Sequence, residues 1–384
     1  MSEPRDGLEF LDQLRENEEK KENTFDDISW YLEQKAREKG VPIAGQFELT
    51  PLCNFDCKMC YVHLSGSQMG EHALLTTDQW KKLIHEAYEN GMYKATLTGG
   101  ECLTYPGFGE IYLYLHKLGC EVYVLTNGLL LDEKWVDFFK AHPPARIQIT
   151  LYGHDDDSYE RVTGRRAFET VSRNIQLILE ADLPLQIAIT PNKYMGSDTM
   201  QTIKQAKSWT QSVQVNSGLF MPREETGRAE QNDNISDEDY LEIYRQMREM
   251  DGKTLREIPE DILPAPGGPY HSCEECGMQC GGGRSSFVID WKGIMEPCNR
   301  MSHLIYASPL MVGFKESWKI INHAANDWPR VPECKECPYE AACSSNCAAD
   351  VLAYGDPGKH PIGLCERTKN MVRHGIWRIA DCEQ

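Results

Sequence analysis

The stretch "PLCNFDCKMCYVH" (residues 51–63) sets Cys53, Cys57 and Cys60 in a Cys-x3-Cys-x2-Cys spacing, and no further cysteine follows until Cys102. Three thiolates are one short of a zinc tetrahedron or a fully ligated iron–sulfur cube. What completes the set depends on what surrounds it. Immediately upstream, "QFELT" (46–50) has strand composition, so the cysteines occupy the loop at a strand's C-terminal end.

Further strands are expected at "ATLT" (95–98), "EVYVLT" (121–126), "RIQITL" (146–151), "LQIAIT" (185–190) and "VQVNSG" (213–218). Helical periodicity fills the gaps. Trp80, Leu83, Ile84, Ala87 and Tyr88 repeat at helical spacing, with Gly91 as the stop. Phe108, Ile111, Tyr112 and Leu115 do the same, as do Phe168, Val171, Ile175 and Ile178. Strands alternating with helices imply a parallel α/β architecture, and both an open sheet and a barrel satisfy that pattern. Residues 1–44 read as an acidic helical extension, stopped by Gly40 and Pro42, and 45–225 as the strand–helix domain. Residues 226–266 form a helical linker in which Ser236 and Asp239 are a capping pair; 267–384 form a small domain stapled by ligands.

The chain has 384 residues, 41% hydrophobic and 26% charged, with a formal net charge of −19. That charge disfavours nucleic acid and anionic lipid as partners, and favours a basic one. The opening residues are acidic and lack an apolar signal region, so a cytoplasmic chain with no membrane span is expected. In that compartment, fifteen cysteines speak for metal ligation over disulfides. Ten of them lie between 273 and 382, while Cys102 and Cys120 stand apart. Cys280 is followed by Gly293 and Cys298; "CKECPYEAACSSNC" supplies Cys334, Cys337, Cys343 and Cys347, and Cys365 closes the series. Paired CxxC units also serve as zinc knots, but this dense, interleaved run has few histidines near it.

Taken together, the two cysteine patterns resemble the radical S-adenosylmethionine (radical SAM) enzymes that carry a C-terminal SPASM domain. Cys53, Cys57 and Cys60 match that superfamily's cluster motif, and the C-terminal series matches the SPASM spacing, over about residues 45–370. The resemblance implies a partial (β/α)6 TIM-like barrel with its site at the C-terminal ends of the strands, and a cysteine-rich domain binding auxiliary clusters. It also answers the opening question. Three thiolates hold a [4Fe–4S] cluster whose open iron takes S-adenosylmethionine, and reductive cleavage yields a 5′-deoxyadenosyl radical that abstracts hydrogen from substrate.

By position, the resemblance assigns Gly99, Gly100 and Glu101 to the methionine ammonium, Thr150 to the ribose and Arg161 to the methionine carboxylate. Asn127 and Leu219 are weaker candidates for ribose and adenine contact, and Met59 replaces the usual aromatic residue against adenine. Three [4Fe–4S] clusters are implied. Cys280, Cys298 and Cys347, with Cys276 or alternatively Cys273, would hold one auxiliary cluster; Cys334, Cys337, Cys343 and Cys365 would hold the other. There are departures. Cys102 stands where proline usually follows GGE, Tyr152 alters the end of strand four, and Asn299 replaces the aspartate base of anaerobic sulfatase maturases. No catalytic acid or base is assigned, and His63, His154 and His303 are given no role.

The expected substrate is a peptide or protein, such as a basic ribosomal precursor matured by a thioether or carbon–carbon cross-link. A reductant such as ferredoxin or flavodoxin would supply the electron. The N-terminal extension is short for a leader-recognition domain, so the leader would be bound by the barrel or by a separate protein. Competing expectations are a formylglycine-forming maturase, small-molecule cofactor biosynthesis, and a non-enzymatic zinc or electron-transfer protein.

Overall fold

The computed structural model describes residues 24–70, 72–216, 218–220, 222–227, 233–252, 277–278, 280–329, 334, 337, 339, 343, 347–353 and 362–376. Cys273, Cys276, residues 253–266 of the expected 226–266 linker and the first part of the N-terminal extension lie outside the described residues.

The chain enters through α1 (Thr24–Lys39), which ends at Gly40 with φ 64°, a left-handed position that glycine adopts without strain. β1 (Ala44–Glu48) follows, then α2 (Thr77–Glu89), β2 (Lys94–Thr98), α3 (Phe108–Lys117), β3 (Glu121–Thr126), α4 (Glu133–Ala141) and β4 (Arg146–Thr150). Two helices, α5 (Asp156–Thr163) and α6 (Phe168–Glu180), lead to β5 (Leu185–Ile189), and α7 (Thr199–Trp209) leads to β6 (Val213–Val215). Neighbours β1 to β6 pair in chain order, every pair parallel, which the intervening helical crossovers make possible. This is the α/β partial barrel.

The helices form where the sequence places caps and apolar stripes. α2 opens with a capping box between Thr76 and Gln79 and buries Trp80, Leu83, Ile84 and Ala87 against the sheet. Trp80 meets Phe47 of β1 edge-to-face at 6.1 Å. Tyr88, expected on that stripe, is exposed; it lies at the rim of the arc that the other four residues define. Two strand ends also differ from expectation. β1 stops at Glu48 because the Thr50 side chain accepts the Leu52 N–H and turns the chain. β6 is short, and just past it the Asn216 side chain donates to Thr190 Oγ1 at 2.8 Å.

α8 (Asp237–Met250) is capped by Ser236, whose Oγ accepts from Asp239 N and donates to its carboxylate. The C-terminal region then returns to the sheet. β7 (Ser286–Ile289) pairs parallel with the free side of β1, and β8 (Met295–Glu296) pairs antiparallel with β7. The sheet order is therefore β6-β5-β4-β3-β2-β1-β7-β8. Apolar contact explains the docking: Phe287 sits edge-on to Phe47 at 6.0 Å and to Phe314 at 5.1 Å. The short α9 (Pro309–Val312) precedes α10 (Phe314–Asn326), which also ties back to the entry segment, Trp318 Nε1 donating to Gly40 O at 2.7 Å. α11 (Ala348–Ala353) and α12 (Ile362–Arg373) complete the described chain. Among the described residues, no helix is long and apolar enough to cross a membrane.

Candidate active site and cysteine centres

The Cys53–Cys60 loop leaves the C-terminal end of β1 and is held by two neighbours. On one side lies the turn after β2. Gly100 N donates to Thr50 O at 2.7 Å and Glu101 N to Leu52 O at 3.0 Å. A Cβ on Gly99 would lie 2.3 Å from Thr50 O, and one on Gly100 2.5 Å from Leu52 O. Only glycine permits that approach, and Gly99 also has φ 143°. On the other side, the last turn of α5 presents carbonyls: Asp56 N donates to Thr163 O and Lys58 N to Val162 O, both at 3.0 Å.

Within the loop the three thiols are close enough to repel one another as thiolates. Burial pushes Cys53 up to about 12, with Glu101 and Cys60 adding to it. Burial likewise raises Cys57, and the Tyr152 hydroxyl offsets part of that by donating to its sulfur. Such thiols ionise only beside a cationic centre, and an iron cluster supplies one. Phe55 N donates to Cys53 Sγ at 3.4 Å and His63 N to Cys60 Sγ at 3.2 Å. Among the described residues, no three Cys, His, Asp or Glu side chains converge on one point that a single metal ion would occupy. The donor set fits a cluster that spreads its ligands over several irons.

Glu101 is 1% exposed. Burial raises its pKa, while donors from Asn127 N, Leu103 N and the Thr126 hydroxyl, at 2.7, 3.0 and 2.8 Å, pull it back. Its carboxylate thus staples the β2 turn to the end of β3, and Oε2 accepts from Asn127 N. Asn127 extends Nδ2 to Asn54 Oδ1 at 2.6 Å and toward Cys53 Sγ at 3.6 Å, inside the cysteine loop. Thr150 closes β4 on the same edge.

Arg161 points elsewhere: its half-exposed guanidinium pairs with Asp198. Arg165 is the arginine that reaches the cysteine loop, donating to Asn54 O at 3.3 Å. Leu219 packs on the barrel core, its N–H held by Asn234 Oδ1 at 2.8 Å. Met59 is buried in that core with Cys57 and Phe55. Cys102 is fully buried, its thiol 3.2 Å from Leu125 O, and burial raises its pKa well above the ordinary thiol range.

In the C-terminal region, Cys280, Cys298 and Cys347 lie within electrostatic reach of one another, and Cys337 and Cys343 lie within reach of Cys365. Cys334 adjoins the second group through Cys337 N, which donates to Cys334 O at 3.3 Å. Three contributors escaped the sequence reading: Arg165, Arg300 and the Glu48–Arg223 pair. Arg300 follows Cys298 by two residues, a position from which a cation readily meets a ligand sulfur. Glu48 and Arg223 are 175 positions apart and carry no local signal.

Residues 47–206 match the family model described as the Radical SAM superfamily. The fold and the cysteine loop agree with that match: the region 47–206 is similar to radical SAM domains, and the likeness supports an enzyme of that kind. Among its relatives is the AdoMet-dependent heme synthase of Methanosarcina barkeri, 27% identical over 338 residues, covering 81% of this chain and 92% of that protein. The sporulation killing factor maturation protein SkfB of Bacillus subtilis is 28% identical over 215 residues, 54% of this chain and 50% of that one. This chain therefore spans nearly all of the first relative and half of the second. Among solved structures, Streptococcus suis SuiB bound to S-adenosylmethionine superposes with a TM-score of 0.66 at 13% identity, covering 85% of this chain and 78% of that one; it shares the fold.

Proposed function

We propose that this chain cleaves S-adenosylmethionine reductively and abstracts a hydrogen from a peptide substrate, maturing a ribosomally made precursor by a cross-link. The observation that carries the reading is the gathering of buried Cys57 and half-buried Cys53 and Cys60 against the glycine-flattened turn at the C-terminal end of the sheet. A [4Fe–4S] cluster with S-adenosylmethionine supplies the radical chemistry there when reduced. The chain's own residues do the positioning. Gly99 and Gly100 bring backbone against the cysteine loop, Asn127 reaches Cys53, and Tyr152 donates to Cys57. Thr150 and Glu101 stand on the same edge, where a nucleoside and an amino group would lie. Arg165 is better placed than Arg161 to meet a carboxylate over the loop.

Cys280, Cys298 and Cys347, and separately Cys334, Cys337, Cys343 and Cys365, are proposed ligands of two auxiliary clusters. The maturation role of the relative SkfB supports a peptide substrate, and the net charge of −19 suits a basic one. The proposed organisation keeps 45–225 as the barrel and 267–384 as the auxiliary domain, in the cytoplasm with a ferredoxin- or flavodoxin-type donor. Asn299, an amide that donates to Tyr61, offers no proton acceptor of the kind a formylglycine maturase uses.

A second reading, a small-molecule enzyme acting on a tetrapyrrole, is favoured by the 92% coverage of the heme synthase. Anaerobic turnover with S-adenosylmethionine and reductant separates the two. Mass loss in a basic precursor peptide from the neighbouring reading frames supports the first; turnover of a tetrapyrrole with every peptide unchanged overturns it.

A further inference from the structure

Arg300 stands between the two cysteine centres. Its N–H donates to Cys298 Sγ at 3.3 Å and Nη1 to Cys347 Sγ at 3.4 Å, while Nη2 pairs with Asp350. Its guanidinium lies 4.7 Å from the centroid of Phe220, and that ring meets Tyr61 edge-on at 5.0 Å. Tyr61 directly follows Cys60. An unbroken chain of contacts therefore runs from the N-terminal cysteine loop through Tyr61, Phe220 and Arg300 to two C-terminal thiols.

We propose that Arg300 sets the reduction potential of the cluster held by Cys280, Cys298 and Cys347, raising it by fixing one half-buried positive charge on Cys347 Sγ while its backbone N–H donates to Cys298 Sγ. The physical basis is general. Reduction adds negative charge to an iron–sulfur cluster, and both N–H···S bonds and a nearby cation stabilise the reduced form. Asp350 moderates the effect by neutralising part of that cation. The guanidinium is the fitting group, because its planar fork donates to a sulfur and a carboxylate at once while its face stacks on an aromatic ring. The edge-on Phe220–Tyr61 pair holds this charge in register with the other centre, making Arg300 a positioning residue.

This inference rests on the reading that those cysteines hold an auxiliary cluster, so the test begins there. In the full chain, anaerobically reconstituted, Cys298→Ala and Cys347→Ala should each lower iron by about four per chain. Undiminished iron overturns the cluster reading and this inference with it. With the cluster established, redox titration followed by electron paramagnetic resonance reads the charge. Arg300→Gln should move one cluster's midpoint to more negative potential, Arg300→Lys should restore most of the shift, and Asp350→Asn should move it to more positive potential. If Arg300→Gln sheds iron, Arg300→Lys and Asp350→Asn decide alone. Midpoints unchanged in the iron-replete variants overturn the role of Arg300 and leave the cluster reading standing.

Discussion

Asn299 Nδ2 donates a 2.9 Å hydrogen bond to the hydroxyl of Tyr61, joining the residue after Cys298 to the residue after Cys60 across 238 positions of chain. The two cysteine centres are thus coupled by a direct side-chain contact as well as by shared packing. A double-mutant cycle reads the coupling. Tyr61→Phe and Asn299→Ala should each cost about 1 kcal/mol, and the double variant less than their sum. Strict additivity in chemical unfolding would show the contact to be energetically idle.

Beside that contact, Arg223 clamps the C-terminal end of β1. Its two terminal nitrogens each meet a Glu48 oxygen at 2.8 Å, in a pair where Glu48 is 1% exposed and Arg223 8%. Arg223 N also donates to Tyr61 O at 3.1 Å. Removing one partner strands a buried charge, so Glu48→Gln or Arg223→Met should destabilise the fold by about 3–5 kcal/mol. Replacing both should recover much of that loss. Equilibrium unfolding of the three variants checks it, and two mild single variants would count against the clamp.

Gly99 and Gly100 make a separate prediction. An added Cβ meets backbone carbonyls, which cannot swing aside as a side chain can. Gly99→Ala and Gly100→Ala should each destabilise by about 2 kcal/mol or more. They should also weaken iron retention in the N-terminal loop, because the loop and the turn share those contacts. A variant with wild-type melting temperature and full iron would contradict the close approach.

Asp155 caps α5, accepting from Ser158 N at 2.7 Å, and that helix's last carbonyls hold the cysteine loop. Hydrogen bonding from the Ser158 backbone and hydroxyl lowers its pKa below the ordinary 3.8. The capping contribution is therefore present above pH 3.8 and lost as pH falls through the depressed folded value. Asp155→Ala should cost about 1 kcal/mol at neutral pH. The gap from wild type should narrow in acid; a gap that stays constant down to strongly acidic pH would exclude the carboxylate as its source.

How much of this was readable in residues alone follows a physical division. Local signals carried the six parallel strands and the caps at Thr76 and Ser236, because period and capping chemistry are set within a few positions. Cysteine spacing marked the C-terminal series, since ligand sets leave a linear signature, and the family resemblance implied its division into two groups. The pairing of β7 onto β1 had no such signal: "FVID" reads only as a short strand, and its partner is chosen by Phe287 meeting Phe47 and Phe314. Arg161 was assigned by the resemblance and pairs with Asp198, while Arg165, past the Gly164 that ends α5, donates to the loop. Tyr152, which replaces an expected polar group, turns out to donate to Cys57, so a departure from pattern marked a contact.

The central claim is radical chemistry initiated at Cys53, Cys57 and Cys60. Anaerobically reconstituted protein, reduced in the presence of S-adenosylmethionine, should release 5′-deoxyadenosine and contain about twelve irons per chain for three clusters. The variant with all three cysteines replaced by alanine should lose about four of those irons and release none of the nucleoside. Undiminished 5′-deoxyadenosine from that variant would contradict the account.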